Sequence, residues 1–425
     1  MVIKYIDLFA GIGGIRLAFE RACSQFNISH ECVLSSEIDK KAMETYQLNF
    51  NEWPSGNIYE ITDIPEFDFL LAGFPCQPFS YAGKQQGFGD TRGTLFFEIE
   101  RILKKYKPKG FLLENVRGLV SHDKGRTFKT IINILESIGY GVEFRLLNSS
   151  SFDIPQNRTR VYIVGLLGTI PKLTIADNMG ASDTHKYKNK NQLQYSLFDD
   201  KRVLVKDILE KNPSPKYFCS DKFITYLKKV VGNDFSKLNG IRLIDYRGGN
   251  AIHSWEIGLK GKCSLEEIRF MNLLISNRRK KHFGTHQDGK RLTLDQIRTF
   301  YNEPNLESLI QSLVIKGYLS EKDNTYNPVC GNMSFEVFKF LDPDSISITI
   351  VASDAHRLGV VQDNSPRRIT PRECARLQGF PDSFALNPND LFAYKQIGNS
   401  VAVPVVQAVL EDLFKSNMSF FGMHN

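Results

Sequence analysis

Three observations predict an α/β fold with a mainly parallel sheet, helices on both faces and a second, smaller domain. Short apolar, β-branched runs alternate with helical stretches of ten or more residues up to Leu167. That rhythm stops at Pro171 to Gln194, which is polar and poorly periodic, and helix signals return from Thr370 to Phe414. Strands separated by helices of that length belong in parallel sheets, because each crossover covers a face. At 425 residues the chain is also too long for one ordinary domain.

The first run, Val2 to Phe9, reads as a strand and is followed by the glycine turn Ala10-Gly11-Ile12-Gly13-Gly14 and a helix to Cys23. Glu31 to Glu37 reads as the second strand and Lys40 to Phe50 as the second helix. Strands at Phe67 to Ala72, Gly110 to Glu114 and Val161 to Leu167 follow, with helices at Gly93 to Tyr106 and Phe128 to Ile138. The expected division places residues 1–170 and 350–425 in one domain, with 171–349 as linker and second domain. In that middle, Thr293 to Phe300 and Leu306 to Leu319 read as helices before a turn-rich Glu321 to Gly331, a winged-helix-like shape over 290–331. Thr370 before Pro371, with Glu373 at capping-box spacing, reads as a helix start.

Composition narrows the class. Hydrophobic residues make up 42% and charged residues 24%, enough for a sizeable core. A net charge of +7 suits a polyanionic partner without requiring one. Seven scattered cysteines with no CxxC pair argue against a disulfide framework and against a metal site, and place the protein in a reducing cytoplasm. No basic-then-apolar leader opens the chain and no run approaches about 18 apolar residues, so neither export nor a membrane is expected.

Several motifs sit where chemistry is done in open α/β sheets, at the carboxyl ends of strands. The turn Phe9 to Gly14 lets a ligand approach the backbone but lacks the GxGxxG spacing of a dinucleotide site. Glu37 ends the second strand, where a carboxylate can accept from ribose hydroxyls; alone it reads more readily as a solvated strand end. Cys76, in Gly73-Phe74-Pro75-Cys76-Gln77-Pro78-Phe79-Ser80, follows the third strand on a proline-stiffened loop, where by position alone a nucleophile and a small buried cysteine are equal readings. Glu114-Asn115-Val116 ends a strand on the same edge, and Arg158 and Arg160 share a face of the extended Gln156 to Arg160 segment. An arginine pair of that kind suits carbonyl or phosphate recognition, although solvated surface arginines are commoner.

Together and in this order, these blocks resemble the DNA (cytosine-5) methyltransferase family of bacterial restriction-modification systems. The resemblance also rests on Arg368 to Pro381 and on Gln396-Ile397-Gly398-Asn399-Ser400-Val401, and covers residues 1 to about 167 and about 350 to 415. It implies a Rossmann-like, S-adenosylmethionine-dependent methyltransferase fold with a target recognition domain. It implies Cys76 as the nucleophile on carbon 6 of cytosine, Glu114 against N3, Arg160 near O2 and Arg158 in support. For S-adenosylmethionine it implies Phe9 on the adenine, Gly11, Gly13 and Gly14 near the methionine portion, and Glu37 on the ribose. Ile38 lies beside the adenine, and Leu95, Asn399 and Val401 close the pocket. Where the family usually has an aspartate accepting from the adenine amino group, this chain has Asn57 before Ile58, an amide whose NH2 must be turned away, so some affinity is at stake.

The partner implied is double-stranded DNA, from which the target base is flipped, and a companion restriction endonuclease belongs to the same picture, with the enzyme itself a monomer. Gln77 and Ser80 beside the nucleophile, and Arg247, Arg278, Arg279 and Lys280 in the middle region, are the expected DNA contacts. The stretch around Phe79 to Leu95, rich in glycine, reads as a loop that closes over the base. A tRNA cytosine methyltransferase and a non-catalytic relative are the alternatives. The large middle region favours DNA over tRNA, and intact Cys76, Glu114 and Arg160 favour catalysis.

Overall fold

The computed structural model describes residues 2–75, 95–178, 202–246, 248–284, 290–329 and 335–423. Cys76, Gln77, Ser80, Arg247 and most of the expected closing loop lie outside them. The chain divides into two compact units. One comprises Met1–Ile208, Ile346–Ala355 and Pro371–Asn425; the other comprises Leu209–Ser345 and His356–Thr370.

The first unit begins with β1 (Val2–Leu8), α1 (Gly14–Gln25), β2 (Ser29–Ser36), α2 (Lys40–Phe50), β3 (Phe69–Gly73), α3 (Leu95–Tyr106) and β4 (Gly110–Val116). A one-turn helix α4 (Gly118–Ser121), then α5 (Arg126–Ser137), β5 (Tyr140–Asn148) and β6 (Thr159–Leu167) complete its first part. The sheet order is β2-β1-β3-β4-β6-β5. β2, β1, β3 and β4 run parallel, while β6 is antiparallel to both β4 and β5. The mainly parallel α/β sheet is therefore present, with an antiparallel edge that sequence patterning did not indicate. β3 and β4 are buried along nearly their whole lengths, as strands covered on both faces must be.

Local chemistry sets the boundaries. Asp39 caps α2 by accepting from Lys41 N at 2.9 Å, and Asn51 ends it at φ +53°. The expected strand at Glu31 to Glu37 and helix at Lys40 to Phe50 correspond to β2 and α2 within two residues at each end.

The second unit contains α6 (Asp221–Val231), β7 (Arg242–Leu243), β8 (Ala251–Ile252), α7 (Ser254–Ile257) and α8 (Leu265–Asn277). They are followed by β9 (Leu292–Thr293), α9 (Leu294–Arg298), α10 (Leu306–Ile315), and the hairpin of β10 (Leu319–Lys322) and β11 (Thr325–Pro328). The expected turn-rich segment after α10 is thus a hairpin, turned at Asp323 and Asn324, both at positive φ. The three short strands order as β10-β11-β9. Ser264 and Glu267 form a capping box at the start of α8, and Thr293 and Gln296 form one at the start of α9. A five-stranded sheet, β14-β13-β12-β7-β8, is completed by β12 (Lys339–Phe340), β13 (Leu358–Gln362) and β14 (Ser365–Arg368). Because β13 pairs with β12, residues 356–370 belong to the second unit, where the sequence reading had the first domain resuming at 350.

The chain re-enters the first unit through α11 (Pro371–Leu377), α12 (Asp390–Asn399) and α13 (Val403–Ser416). Asp390–Ser416 has a mean hydropathy high enough for a membrane span, but it is two helices broken at Ser400, and most of it is buried. On α13, Phe414 is fully buried and stacks edge-on against Phe19 of α1 (6.0 Å) and Phe69 of β3 (6.5 Å). The last helix thereby closes the core begun by the first strand. Phe414→Ala is expected to destabilise the first unit by about 3–5 kcal/mol, read as a lowered denaturation midpoint by far-UV circular dichroism.

Candidate active site

The turn after β1 is built from unusual backbone. Phe9 (φ +55°), Gly11 (φ +56°) and Gly13 (φ +87°) all occupy the left-handed region, a strained state for an aromatic residue and one that concentrates at ligand sites. A side chain at Gly13 would collide with the Phe50 ring, and one at Gly14 would lie 2.6 Å from Ser400 Oγ and 3.1 Å from Val401 Cγ2. Residues 400–401 are therefore laid directly on the turn, which brings Ser400 and Val401 to the N-terminal motif. At Gly11 an added Cβ would meet nothing within 4 Å. There the turn is open.

Glu37, one residue beyond β2, faces this opening. Its carboxylate accepts from Gly11 N (2.8 Å), Ile38 N (2.8 Å) and Asp39 N (2.8 Å). A carboxylate has about four lone-pair positions, so capacity for a ligand hydroxyl remains. Ile38 beside it is 73% exposed, an apolar side chain presented outward. Ile58 is different: its side chain is packed in the core, so only its main chain can face a ligand. Asn57 Oδ1 accepts from Tyr59 N at 3.2 Å. Leu95, at the start of α3, packs against the same core at partial exposure.

Beneath the turn lies a buried polar network that the sequence did not single out. Arg16 donates to Glu20 Oε1 (2.8 Å), Tyr46 Oη (3.0 Å) and Glu52 Oε2 (2.6 Å), and its guanidinium stacks 4.3 Å from the Phe50 ring. Asp7, buried near the end of β1, receives the Tyr46 hydroxyl at 3.4 Å on Oδ2, while its Oδ1 has no hydrogen-bond partner among the described residues. Burial pushes its carboxyl up to about 7, against the opposing pull of Arg16.

At the same sheet edge Glu114 on β4 lies beside Arg160 on β6, with Oε1 3.2 Å from Nε. That oxygen accepts no hydrogen bond among the described residues. Burial raises the Glu114 carboxyl above its ordinary range, although Arg160 and then Arg158 act to lower it. Asn115 Nδ2 donates to Phe74 O at 2.9 Å, which ties the end of β4 to the chain two residues before Cys76. Gly73, at the end of β3, would place a Cβ 3.8 Å from Glu114 Oε2. The segment leading to Cys76 and the Glu114 carboxyl are therefore neighbours.

Arg158, expected among the catalytic residues, does other work. Its Nη1 donates to Ile350 O (2.9 Å) and its Nη2 to Ser400 O (2.6 Å). Burial, with repulsion from Arg160, pushes it down to about 10. It holds main chain in place and is a positioning residue. Gln156, quoted only as part of a motif, does the same: it donates to Leu377 O (2.8 Å) and accepts from Ile350 N (2.8 Å). In the second unit, Arg279 and Lys280 are exposed, but Arg278 is fully buried and donates to Asn327 Oδ1 and to Tyr246 O. Arg278 is thus removed from the set of DNA contacts: at the end of α8 its side chain turns inward while its neighbours turn out. A basic run by itself does not reveal that, whereas Asn115 and Gln156 lay inside motifs already marked.

An open α/β sheet that gathers a glycine turn, a strand-end carboxylate bonded to it and a buried glutamic acid at its strand ends is built as S-adenosylmethionine-dependent methyltransferases are. The solved S. pombe Dnmt2 methyltransferase shares this fold, with a TM-score of 0.52 over 97% of this chain and 98% of its own at 19% identity. The family model for C-5 cytosine-specific DNA methylases matches residues 3–415, and the chain belongs to that family. It is 71% identical over 419 residues to the Type II methyltransferase M.BanI of Aneurinibacillus aneurinilyticus, spanning 99% of this chain and 97% of that one. It is 65% identical over 416 residues to M.HgiCI of Herpetosiphon aurantiacus, spanning 98% of each. The cofactor is accordingly S-adenosylmethionine. The residues suit it: an open glycine turn, a carboxylate with spare acceptor capacity and an outward apolar side chain fit a nucleoside.

The Asp7 carboxyl supplies a pH test. Its folded-state pKa of about 7 lies above the ordinary value of 3.8, so its contribution to stability is full at low pH and is lost as pH rises through about 7. Thermal unfolding of the cofactor-free protein should show that loss between about pH 4 and 7, and Asp7→Asn should flatten it.

Proposed function

We propose that this chain methylates carbon 5 of one cytosine within a specific duplex DNA sequence, as the modification partner of a restriction endonuclease. The names of its similar relatives, Type II methyltransferases, support the restriction-modification setting. The observation that carries the chemistry is the buried Glu114 carboxyl, raised in pKa, held against Arg160 and tied through Asn115 to the chain entering Cys76.

Carbon 5 of cytosine is too weak a nucleophile to take a methyl group unaided. The Cys76 thiolate adds to carbon 6, forming the S–C6 bond and shifting the ring electrons toward carbon 5 and N3. Glu114, whose protonated form burial favours, gives its proton to N3 and neutralises the developing charge. Arg160 donates to O2 of the same ring. Bound S-adenosylmethionine supplies the electrophilic methyl group. Loss of the carbon-5 proton to a base, for which water suffices, restores the double bond as the Cys76 sulfur leaves.

In the cofactor pocket, Phe9 and Ile38 flank the adenine, Glu37 takes a ribose hydroxyl and Asn57 accepts from the adenine amino group. Gly11, Gly13 and Gly14 leave room for the methionine portion, with Leu95, Asn399 and Val401 closing the pocket. Arg158 and Gln156 hold residues 350 and 400 in place behind it.

The second unit is the target recognition domain on this reading. From α8 through the β10–β11 hairpin its connectivity is that of a winged helix, an architecture suited to duplex DNA. Two of its basic segments converge: Arg278 reaches the Tyr246 carbonyl at 3.4 Å, and a Cβ at Gly248 would touch Ile275 at 3.6 Å. Arg278 braces this surface, while exposed Arg279 and Lys280 are free to meet phosphates or base edges.

Two outcomes follow. Cys76→Ser is expected to abolish tritiated-methyl incorporation into DNA while S-adenosylhomocysteine still binds, and a duplex carrying 5-fluorocytosine at the target should trap wild-type enzyme as a covalent band on a denaturing gel. Appreciable turnover by the serine variant would refute the nucleophile. Arg279→Ala should weaken DNA binding without changing cofactor affinity: a phosphate contact lowers the salt slope by about one unit, a guanine contact costs about 1–3 kcal/mol at one base pair. Unchanged DNA affinity, salt dependence and sequence preference would place the reading surface elsewhere.

A further inference from the structure

The family position opposite the adenine amino group is ordinarily a carboxylate, either oxygen of which accepts. Asn57 has one accepting end and one donating end, so its usefulness depends on which way the amide is turned. The chain around it bears on that. Ser55 runs alongside the end of β2, with Ser55 N donating to Ser35 O (2.8 Å), Glu37 N to Ser55 O (3.0 Å) and Ser36 Oγ to Gly56 O (2.9 Å). These bonds set Asn57 in fixed register beside Glu37 and Ile38.

At Asn57 itself the chain enters a three-residue 3-10 turn, Ile58–Glu60, with Asn57 at its N-cap. Oδ1 accepts from Tyr59 N at 3.2 Å, and Nδ2 donates to Glu60 Oε1 at 3.3 Å. Turning the amide over would set its NH2 against the Tyr59 N–H and its carbonyl oxygen against the Glu60 carboxylate. Both hydrogen bonds would become repulsive contacts between like groups. Oδ1 has two lone pairs and Tyr59 N–H takes one of them, so one acceptor position remains for an amino hydrogen.

We propose that Glu60 is a positioning residue for the cofactor: by holding Asn57 Nδ2 it keeps Oδ1 as an acceptor toward the adenine 6-amino group. An asparagine thus serves where a carboxylate would, without its charge, and the pocket discriminates adenine, a donor at position 6, from hypoxanthine, an acceptor there. This rests on the placement of Asn57 against adenine proposed above. Asn57→Ala tests that placement, and Glu60 is tested separately.

Binding of S-adenosylhomocysteine and of its 6-oxo counterpart, S-inosylhomocysteine, is measured by titration calorimetry on the full chain. Glu60→Ala should weaken S-adenosylhomocysteine binding about threefold to tenfold, the usual scale for one hydrogen bond to a charged or polar partner, and bring the two ligands' affinities closer together. Glu60→Gln, whose amide oxygen can still accept from Nδ2, should restore both the affinity and the preference. In an Asn57→Asp background, where no orientation is needed, Glu60→Ala should cost nothing. Glu60 is exposed, so a general disturbance of folding is checked by an unchanged melting temperature. If Asn57→Ala weakens S-adenosylhomocysteine binding while Glu60→Ala leaves affinity and preference unaltered, the role of Glu60 is refuted and the placement of Asn57 stands. If Asn57→Ala has no effect, the placement falls and the inference with it.

Discussion

Two buried side chains at the start of β6 bear much of the first unit's construction. Gln156 and Arg158 emerge from one extended segment and between them engage main chain at Ile350, Leu377 and Ser400. Those partners arrive after the chain has left to build the second unit and returned. A guanidinium buried this deeply is costly unless its donors are satisfied; Nη1 and Nη2 reach the two carbonyls at 2.9 and 2.6 Å, while Nε has no hydrogen-bond partner among the described residues. The consequence reaches the ligand turn, because Ser400 and Val401 rest directly on Gly14. The late segment is thereby packed against the turn that follows the first strand.

A second constraint is charge kept beneath the surface. Asp7, Arg16, Glu20, Tyr46 and Glu52 form a connected set under the glycine turn, and Glu114 with Arg158 and Arg160 forms another at the neighbouring strand ends. In each set burial is the dominant influence on one acid, Asp7 in the first and Glu114 in the second, and pushes it toward the neutral form. For Glu114 burial acts in the direction the proposed step needs, favouring the form that carries a proton for the base. The arginines moderate the shift and keep the carboxyl oriented.

The second unit uses a plainer device. Arg278 is sacrificed to the interior to hold the Tyr246 carbonyl and Asn327, and the following basic residues are left outward. One cation is buried and hydrogen-bonded, its neighbours remain available for a polyanion, and adjacent residues at a helix end can be divided in this way because their side chains leave in different directions.

The amino-acid sequence by itself determined the alternation of strands and helices from β1 to β4, because periodicity and glycine turns are local properties. It also determined the family, because the motifs are contiguous: Glu37, Glu114 and Arg160 are recognisable in a few residues each. It did not disclose β5, Tyr140–Asn148, the last strand of its sheet, met on its outer side by an isolated bridge from Leu147 to Asn178, whose Glu143 and Arg145 break the apolar pattern that marked its neighbours. Nor did it disclose that β13 and β14 extend the second unit's sheet, that Arg158 serves carbonyls at positions 350 and 400, that Arg278 points inward, or which way the Asn57 amide is turned. Each of these depends on a partner's position in space. Hydrogen-bond direction and burial are properties of pairs of groups, and tertiary structure alone brings such pairs together.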